Sequence, residues 1–295
     1  MADNLQLNDK NTAFLRTIKL DFNGKCLTKK GPILMGILNL TPDSFYTRSR
    51  VIDAEYLTST AGRMLDEGAD FLDLGGVSTR PGAENVSTND EIKRLLPAIK
   101  TLLKAFPEAF ISIDTYRKAV AEIMLNEGAF IINDISGGKF DQDMPDFIGK
   151  YNVPYVMMHI HRNPSEMQKL PLDTEVLSEV KLFFEKQSEI FEMKGANQLI
   201  LDPGFGFGKT LSANYRLLAN LNELRVKDYP LLIGISRKSM IYKPLDIDPE
   251  KALNGTSVLN TIALLKGANI LRVHDVKEAR ETVDLCSLFL INTTF

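Results

Sequence analysis

Eight polar positions or clusters stand out because each closes a short apolar run: Asn39, Asp73, Asp114, Asn133, His159, Asp202, Ser236 to Lys238, and Arg272 with His274. Asp, Asn and Ser also cap helices, which would account for any one of them. A polar group at all eight ends, with Arg237, Lys238 and Arg272 gathered at the last two, points instead to a shared rim. In barrels, the loops after the last two strands are where phosphate is often held.

Two further patterns bear on chemistry. His159-Ile-His161 puts two imidazoles on one face of a continuing strand, as metal-dependent barrel hydrolases do. The chain has three histidines in all, so a three-histidine zinc site would also need His274. One rim histidine and one loop histidine is the simpler reading. The stretch from Asp202 to Thr210 resembles a Walker A loop, yet Pro203 stands where its first glycine belongs. It also fails the dinucleotide fingerprint, because Lys209 replaces the third glycine. Its glycines still allow close approach of the backbone to a flat ligand, with Phe207 as a stacking ring. No Ser-His-Asp arrangement is evident.

These positions must be held by the elements before them. The apolar runs are 33–38, 71–74, 110–113, 130–132, 155–158, 199–201, 231–235 and 270–273. Between them lie stretches of helical period at 91–106, 118–127, 177–193, 214–224 and 276–290, where Leu177, Val180, Phe183, Phe184, Ile190 and Phe191 keep roughly 3.6-residue spacing. Apolar strands with little alternation, each followed by an amphipathic helix, imply a parallel sheet covered by helices. Eight units within 295 residues fit a closed (β/α)₈ TIM barrel, the open doubly wound sheet being the alternative. Upstream, residues 17–26 read as a strand, Asn23-Gly24 and a strand, which is a hairpin with a type I′ turn placed to cap the barrel bottom. The expected organisation is a flexible segment over 1–12 and a single domain over 13–295.

Composition narrows the function. Thirty-five Lys and Arg against 38 Asp and Glu give a net charge of −3, so no global positive field exists to hold nucleic acid. The polar start carries neither a basic cluster nor an apolar run, and no stretch reaches the roughly 18 apolar residues of a membrane span. The two cysteines, Cys26 and Cys286, stand far apart and outside any Cys-x-x-Cys spacing. A cytoplasmic protein without nucleic-acid or membrane partners is expected.

The residues from Met35 to Phe45 (MGILNLTPDSF), from Asp73 to Gly82 (DLGGVSTRPG) and from Ser112 to Thr115 (SIDT) resemble the opening signatures of the dihydropteroate synthase family. Ile132 to Ile135, Asp202 to Lys209, Ser236 to Ser239 and Arg272 to Asp275 resemble the remaining ones, in family order. The resemblance implies a (β/α)₈ barrel that condenses 7,8-dihydropterin-6-ylmethyl diphosphate with 4-aminobenzoate, releasing pyrophosphate and forming 7,8-dihydropteroate for folate synthesis, with Mg²⁺ assisting. Carried over by motif, Asp114, Asn133, Asp202 and Lys238 would hold the pterin, whose alternating donors and acceptors suit carboxylates and an amide. Asn39, Arg272 and His274 would hold the diphosphate, with Asn39 a metal ligand. Thr79 would contact the pterin substrate and Arg80 a substrate, while Phe207 offers its ring. Asp114, Lys238 and Arg272 are the catalytic candidates.

Loops over 41–50 and 78–87 would close around the diphosphate and build the aminobenzoate site from Phe45, Ser78, Thr79, Arg80 and Pro81, where sulfonamides would compete. The chain departs from the commonest family pattern in three places: Val77 where Glu is frequent, Arg162 where Gly is usual, and Tyr46 to Ser49 where an Asp and glycines are common. A pterin-binding methyltransferase could use the same carboxylates, and a non-catalytic pterin-binding protein could keep the pocket. The loop motifs and Ser236 to Ser239 favour the synthase. The family's usual dimer would use apolar segments 253–265 and 283–290.

Overall fold

The computed structural model describes residues 16–40, 50–77, 86–164, 166–167 and 169–292, without the side chains of 50–53. Residues 1–12, the expected flexible segment, lie outside the described residues. Eight of the apolar runs become parallel strands: β3 Ile33–Asn39, β4 Phe71–Gly75, β5 Phe110–Asp114, β6 Ile131–Asp134, β7 Tyr155–Met158, β8 Leu199–Asp202, β9 Leu232–Ile233 and β10 Ile270–Val273. Their order is β8-β7-β6-β5-β4-β3-β10-β9. A bridge between Leu201 and Leu231, with the Leu201 N–H donating to Pro230 O at 2.9 Å, brings β8 against the last strand. The result is the (β/α)₈ barrel, with helices α1 Arg50–Asp66, α2 Thr88–Ala105, α3 Lys118–Asn126, α4 Met144–Tyr151, α5 Val176–Met193, α6 Leu211–Ala219, α7 Ser239–Leu245, α8 Leu253–Leu265 and α9 Val276–Asn292.

Local chemistry sets the element ends. Ser87 Oγ accepts the Asp90 N–H at 3.1 Å to start α2, and Thr210 Oγ1 accepts the Ala213 N–H at 3.1 Å to start α6. The Thr210 cap is why this helix begins before residue 214. Its expected tail, up to 224, is a separate 3₁₀ turn at Leu221–Leu224. The expected run over 231–235 shortens to the two residues of β9.

Strand period two separates two cores. Outward residues such as Leu34, Leu72, Ile111, Ile132 and Leu271 pack under the helices. Inward residues Ile33, Met35, Phe71, Ile131, Val156, Ile200, Leu232 and Ile270 join Phe130 to fill the lower barrel. Phe130 stacks edge-on to Phe110 at 4.7 Å between ring centroids. The expected hairpin is β1 Thr17–Phe22 and β2 Lys25–Lys30, turning at Asn23 (φ 49°) and Gly24 (φ 79°), both left-handed as a type I′ turn requires. Its Ile18, Leu20 and Leu27 lie on the lower core and close the bottom. Gln198 fastens it, accepting the Asp21 N–H at 2.7 Å and donating to Asp21 O at 2.8 Å.

Candidate active site

The inward face of the strands changes character within two residues. Above Phe71 comes Asp73, above Phe110 come Ser112 and Asp114, above Ile131 comes Asn133, above Ile200 comes Asp202, and above Ile270 comes Arg272. Because side chains alternate along a strand, each polar residue occupies the next inward place over an apolar one. The barrel register sets Asp73 opposite Ser112, and Asp114 opposite Asn133.

On one side of the mouth these groups bond directly. Arg272 donates from Nε to Asp73 Oδ2 at 2.6 Å and from Nη2 to Asp114 Oδ2 at 2.8 Å. Asn133 Nδ2 donates to Asp73 Oδ2 at 3.1 Å, and Ser112 Oγ donates to Asp73 Oδ1. Burial pushes the Asp114 carboxyl up to about 7, against the pull of Arg272 and with help from Asp73. Burial disfavours the Arg272 charge, but Asp73 and Asp114 outweigh it and raise its pKa. Asn39 ends β3 exposed, and a Cβ on Gly75 would lie 3.5 Å from Asn39 Oδ1 and 3.7 Å from Asp114 Cβ. Gly75 therefore lies between these two side chains, at ordinary contact distance from each.

Across the mouth, Lys238 donates from Nζ to Phe205 O at 2.6 Å and sits 4.8 Å over the Phe207 ring. Burial lowers it to about 8, with Asp202 working the other way. Asp202, raised by burial, accepts the Gly204 N–H at 2.7 Å. A Cβ at Gly204 (φ 67°) would run into the carbonyl oxygen of His159, so the loop after β8 needs glycine there. His274 faces Ser236, with Nδ1 3.0 Å from Oγ, and burial followed by the field of Arg272 lowers it to about 4. At neutral pH it is therefore uncharged.

Several expectations change. Of the three cations at the last two strand ends, Arg237 is bound outside the group, donating to Asp275 at 2.9 and 2.6 Å. Asp73 is not a strand end: β4 runs on to Gly75, and Asp73 is fully buried. The three histidines do not share a site. His161 Nδ1 lies 2.8 Å and His159 Nε2 3.4 Å from Glu179 Oε1, while His274 pairs with Ser236. Among the described residues no group of three or more His, Cys, Asp or Glu could hold a metal.

Lys209, which ends the family-like stretch from Asp202 but received no role from the sequence, donates to the carbonyls of Gly204 at 2.9 Å and of His159 and Phe207 at 3.2 Å. Burial brings it to about 7. It shapes the loop that carries Phe207, and its place seven residues after Asp202 was the signal available. Phe45, Ser78, Thr79, Arg80, Pro81 and the departures from Tyr46 to Ser49 lie outside the described residues. Val77 is half-buried after β4. Arg162 adopts φ 64°, the left-handed region that favours glycine, which gives a physical reason for glycine at this place in the family pattern.

Known proteins resemble this chain in sequence and fold. The family model described as pterin binding enzyme matches residues 35–274. A dihydropteroate synthase of Escherichia coli K12 is 41% identical over 271 residues, covering 90% of this chain and 94% of that protein. The crystal structure of the Yersinia pestis dihydropteroate synthase in a sulfonamide drug complex superposes with a TM-score of 0.85 at 38% identity, covering 92% of this chain and 99% of that one. That of the Clostridium difficile dihydropteroate synthase in the presence of pteroic acid gives 0.81 at 38% identity, covering 88% and 96%.

Proposed function

Because the chain belongs to the pterin binding enzyme family and within it to the dihydropteroate synthases, we propose that it condenses 7,8-dihydropterin-6-ylmethyl diphosphate with 4-aminobenzoate to 7,8-dihydropteroate and pyrophosphate. The observation that carries this reading is one inward face holding Asp114, Asn133, Arg272 and Asp202 around a glycine-lined mouth, with Lys238 joining them from the loop after β9. Asn133, Asp202 and Lys238 bind the pterin edge, and Phe207 flanks its ring. Arg272, with His274 and Asn39, receives the diphosphate.

The C–O bond between methylene and diphosphate breaks, and its electron pair leaves with the diphosphate. The resulting cationic methylene, conjugated to the pterin, is stabilised by the Asp114 carboxylate in a largely dry site. The arylamine nitrogen then forms the C–N bond and passes a proton to water or to the released pyrophosphate. No enzyme nucleophile is needed. The loops with Phe45, Ser78, Thr79, Arg80 and Pro81 build the aminobenzoate and sulfonamide site and exclude water.

Mg²⁺ fits as an ion carried by the diphosphate: the protein offers the neutral Asn39 oxygen at an exposed strand end, the sparse donor set that magnesium accepts when phosphates supply the rest. When bound it neutralises the leaving group. Among the described residues no helix is long and apolar enough to cross a membrane, and the cysteines are unpaired. The reading is of a cytoplasmic enzyme of small-molecule substrates, with residues 13–295 as one domain. Val258, Ile262, Leu285, Leu288 and Phe289 leave an exposed apolar face on α8 and α9 that suits a homodimer. Light scattering at micromolar concentration is expected to give twice 33.0 kDa; the single mass would sink the dimer.

The test is pyrophosphate release from the pterin diphosphate with Mg²⁺, with and without 4-aminobenzoate. The wild type is expected to form dihydropteroate only with the amine, and Asp114→Asn to lose about 100- to 1000-fold in kcat. Tight binding with no release would leave a non-catalytic pterin-binding protein.

A further inference from the structure

Asp73 lies beneath the reacting groups rather than among them. It is fully buried, whereas the side chains of Arg272 and Asp114 keep 19% and 16% of their surface exposed to the mouth. A ligand in the mouth therefore meets Arg272 and Asp114 and does not reach Asp73. Three strands nevertheless send a donor to this one side chain: Ser112 Oγ from β5, Asn133 Nδ2 from β6 and Arg272 Nε from β10. Oδ2 takes both Arg272 and Asn133, so one atom joins the cation assigned to diphosphate and the amide assigned to pterin.

We propose that Asp73 is the positioning residue of the site, fixing the Arg272 guanidinium and the Asn133 amide in one frame. A guanidinium on a flexible stem is aimed only when part of its planar fork is held. Asp73 holds the Nε side, and Asp114 takes Nη2. An arriving diphosphate competes with Asp114 for the outer nitrogens while Nε stays bound below. The plane of the cation, and with it the separation between leaving group and pterin edge, is preserved through the exchange. Ser112 stops the carboxylate from rotating. Without Asp73, the cation has Asp114 as its remaining partner in this network and collapses onto it, which blocks both.

The inference rests on the site assignment above, and a mutant cycle separates the two. Asp73→Asn, Arg272→Ala and the double variant are assayed by steady-state pyrophosphate release with both substrates varied. Asp73→Asn is expected to lose about 100-fold in kcat/KM for the pterin diphosphate, the cost of a misplaced binding group. Its KM for 4-aminobenzoate is expected to stay native. In the Arg272→Ala background the same change should cost nothing further, because a residue that acts through Arg272 has nothing left to position. A buried carboxylate that only supported the fold would lower thermal stability and add its loss in both backgrounds.

Native kcat/KM in Asp73→Asn beside a crippled Arg272→Ala, or multiplying losses in the double variant, overturns the inference and leaves the site assignment standing. A native Arg272→Ala enzyme overturns both. Should Asp73→Asn not fold, Ser112→Ala takes its place in the cycle. A rise of about 3- to 10-fold in KM for the pterin diphosphate is expected in the native background and none in the other, the signature of coupled sites. A native KM, or equal rises in both, overturns the inference.

Discussion

The two ends of the barrel are made by the same strands and share almost no chemistry. At the amino ends, Phe71, Phe110 and Phe130 meet the hairpin residues Ile18, Leu20 and Leu27 in a sealed apolar plug. Two residues beyond Phe71 and Phe110 stand Asp73 and Ser112, and two further on stands Asp114, the three linked to one another through hydrogen bonds that include Arg272. The plug gains its free energy from area removed from water, whereas the mouth holds charges that burial opposes, as the raised Asp114 and lowered Lys238 record. One end supplies stability that the other spends on chemistry.

Breaking the plug should leave the mouth's chemistry untouched. Phe130→Ala, at a residue 1% exposed, is expected to cost about 3–5 kcal/mol of unfolding free energy while the folded enzyme keeps its kcat/KM. Denaturant titration beside the pyrophosphate assay checks this, and a matching fall in kcat/KM would show that the ends are not separable.

Titration acts on the mouth alone. With Asp114 at about 7 and its ionised form the active one, kcat/KM is expected to fall about tenfold per pH unit below that value, and Asp114→Asn should lose this limb. The sign follows from burial: a raised carboxyl holds its proton over the range where an ordinary one has released it. An acid limb near pH 4 would mean that the field of Arg272 outweighs burial.

The smallest effect concerns strain. On the rim Arg162 sits at φ 64°, and Arg162→Gly is expected to add up to about 1 kcal/mol of stability, read as a small rise in Tm. Unchanged or lower stability would indicate that the arginine side chain makes a contact worth the strain.

The strand-and-helix alternation and the hairpin were readable because each depends on neighbours in sequence: apolar runs, helical spacing and Asn23-Gly24. The rim was readable for Asp114, Asn133, Asp202 and Arg272, since strand order alone gathers them. Asp73 was misplaced because the change from apolar to polar at that residue looks like an end, while Leu74 and the side-chain-free Gly75 carry β4 onward. Its partners lie 39, 60 and 199 residues away, a convergence that only the closed ring creates. The charge of Arg237 was counted toward the mouth because spacing does not say which way a side chain in a loop turns, and Asp275 takes it. The pairing of His159 and His161 with Glu179 was hidden for the same reason, the carboxylate arriving from the next helix.

A ring of unequal springs deforms at its softest link. Here β3 and β4 are paired through five residues, but β9 has only two, and the bridge between Leu201 and Leu231 joins its side of the ring to β8. Compliance therefore concentrates at one joint. Asp202 stands at one side of that joint and Lys238 just beyond the other, so the two residues proposed to take the pterin flank the weakest part of the wall, while Asp114 is anchored on β5, which pairs with β4 through five residues.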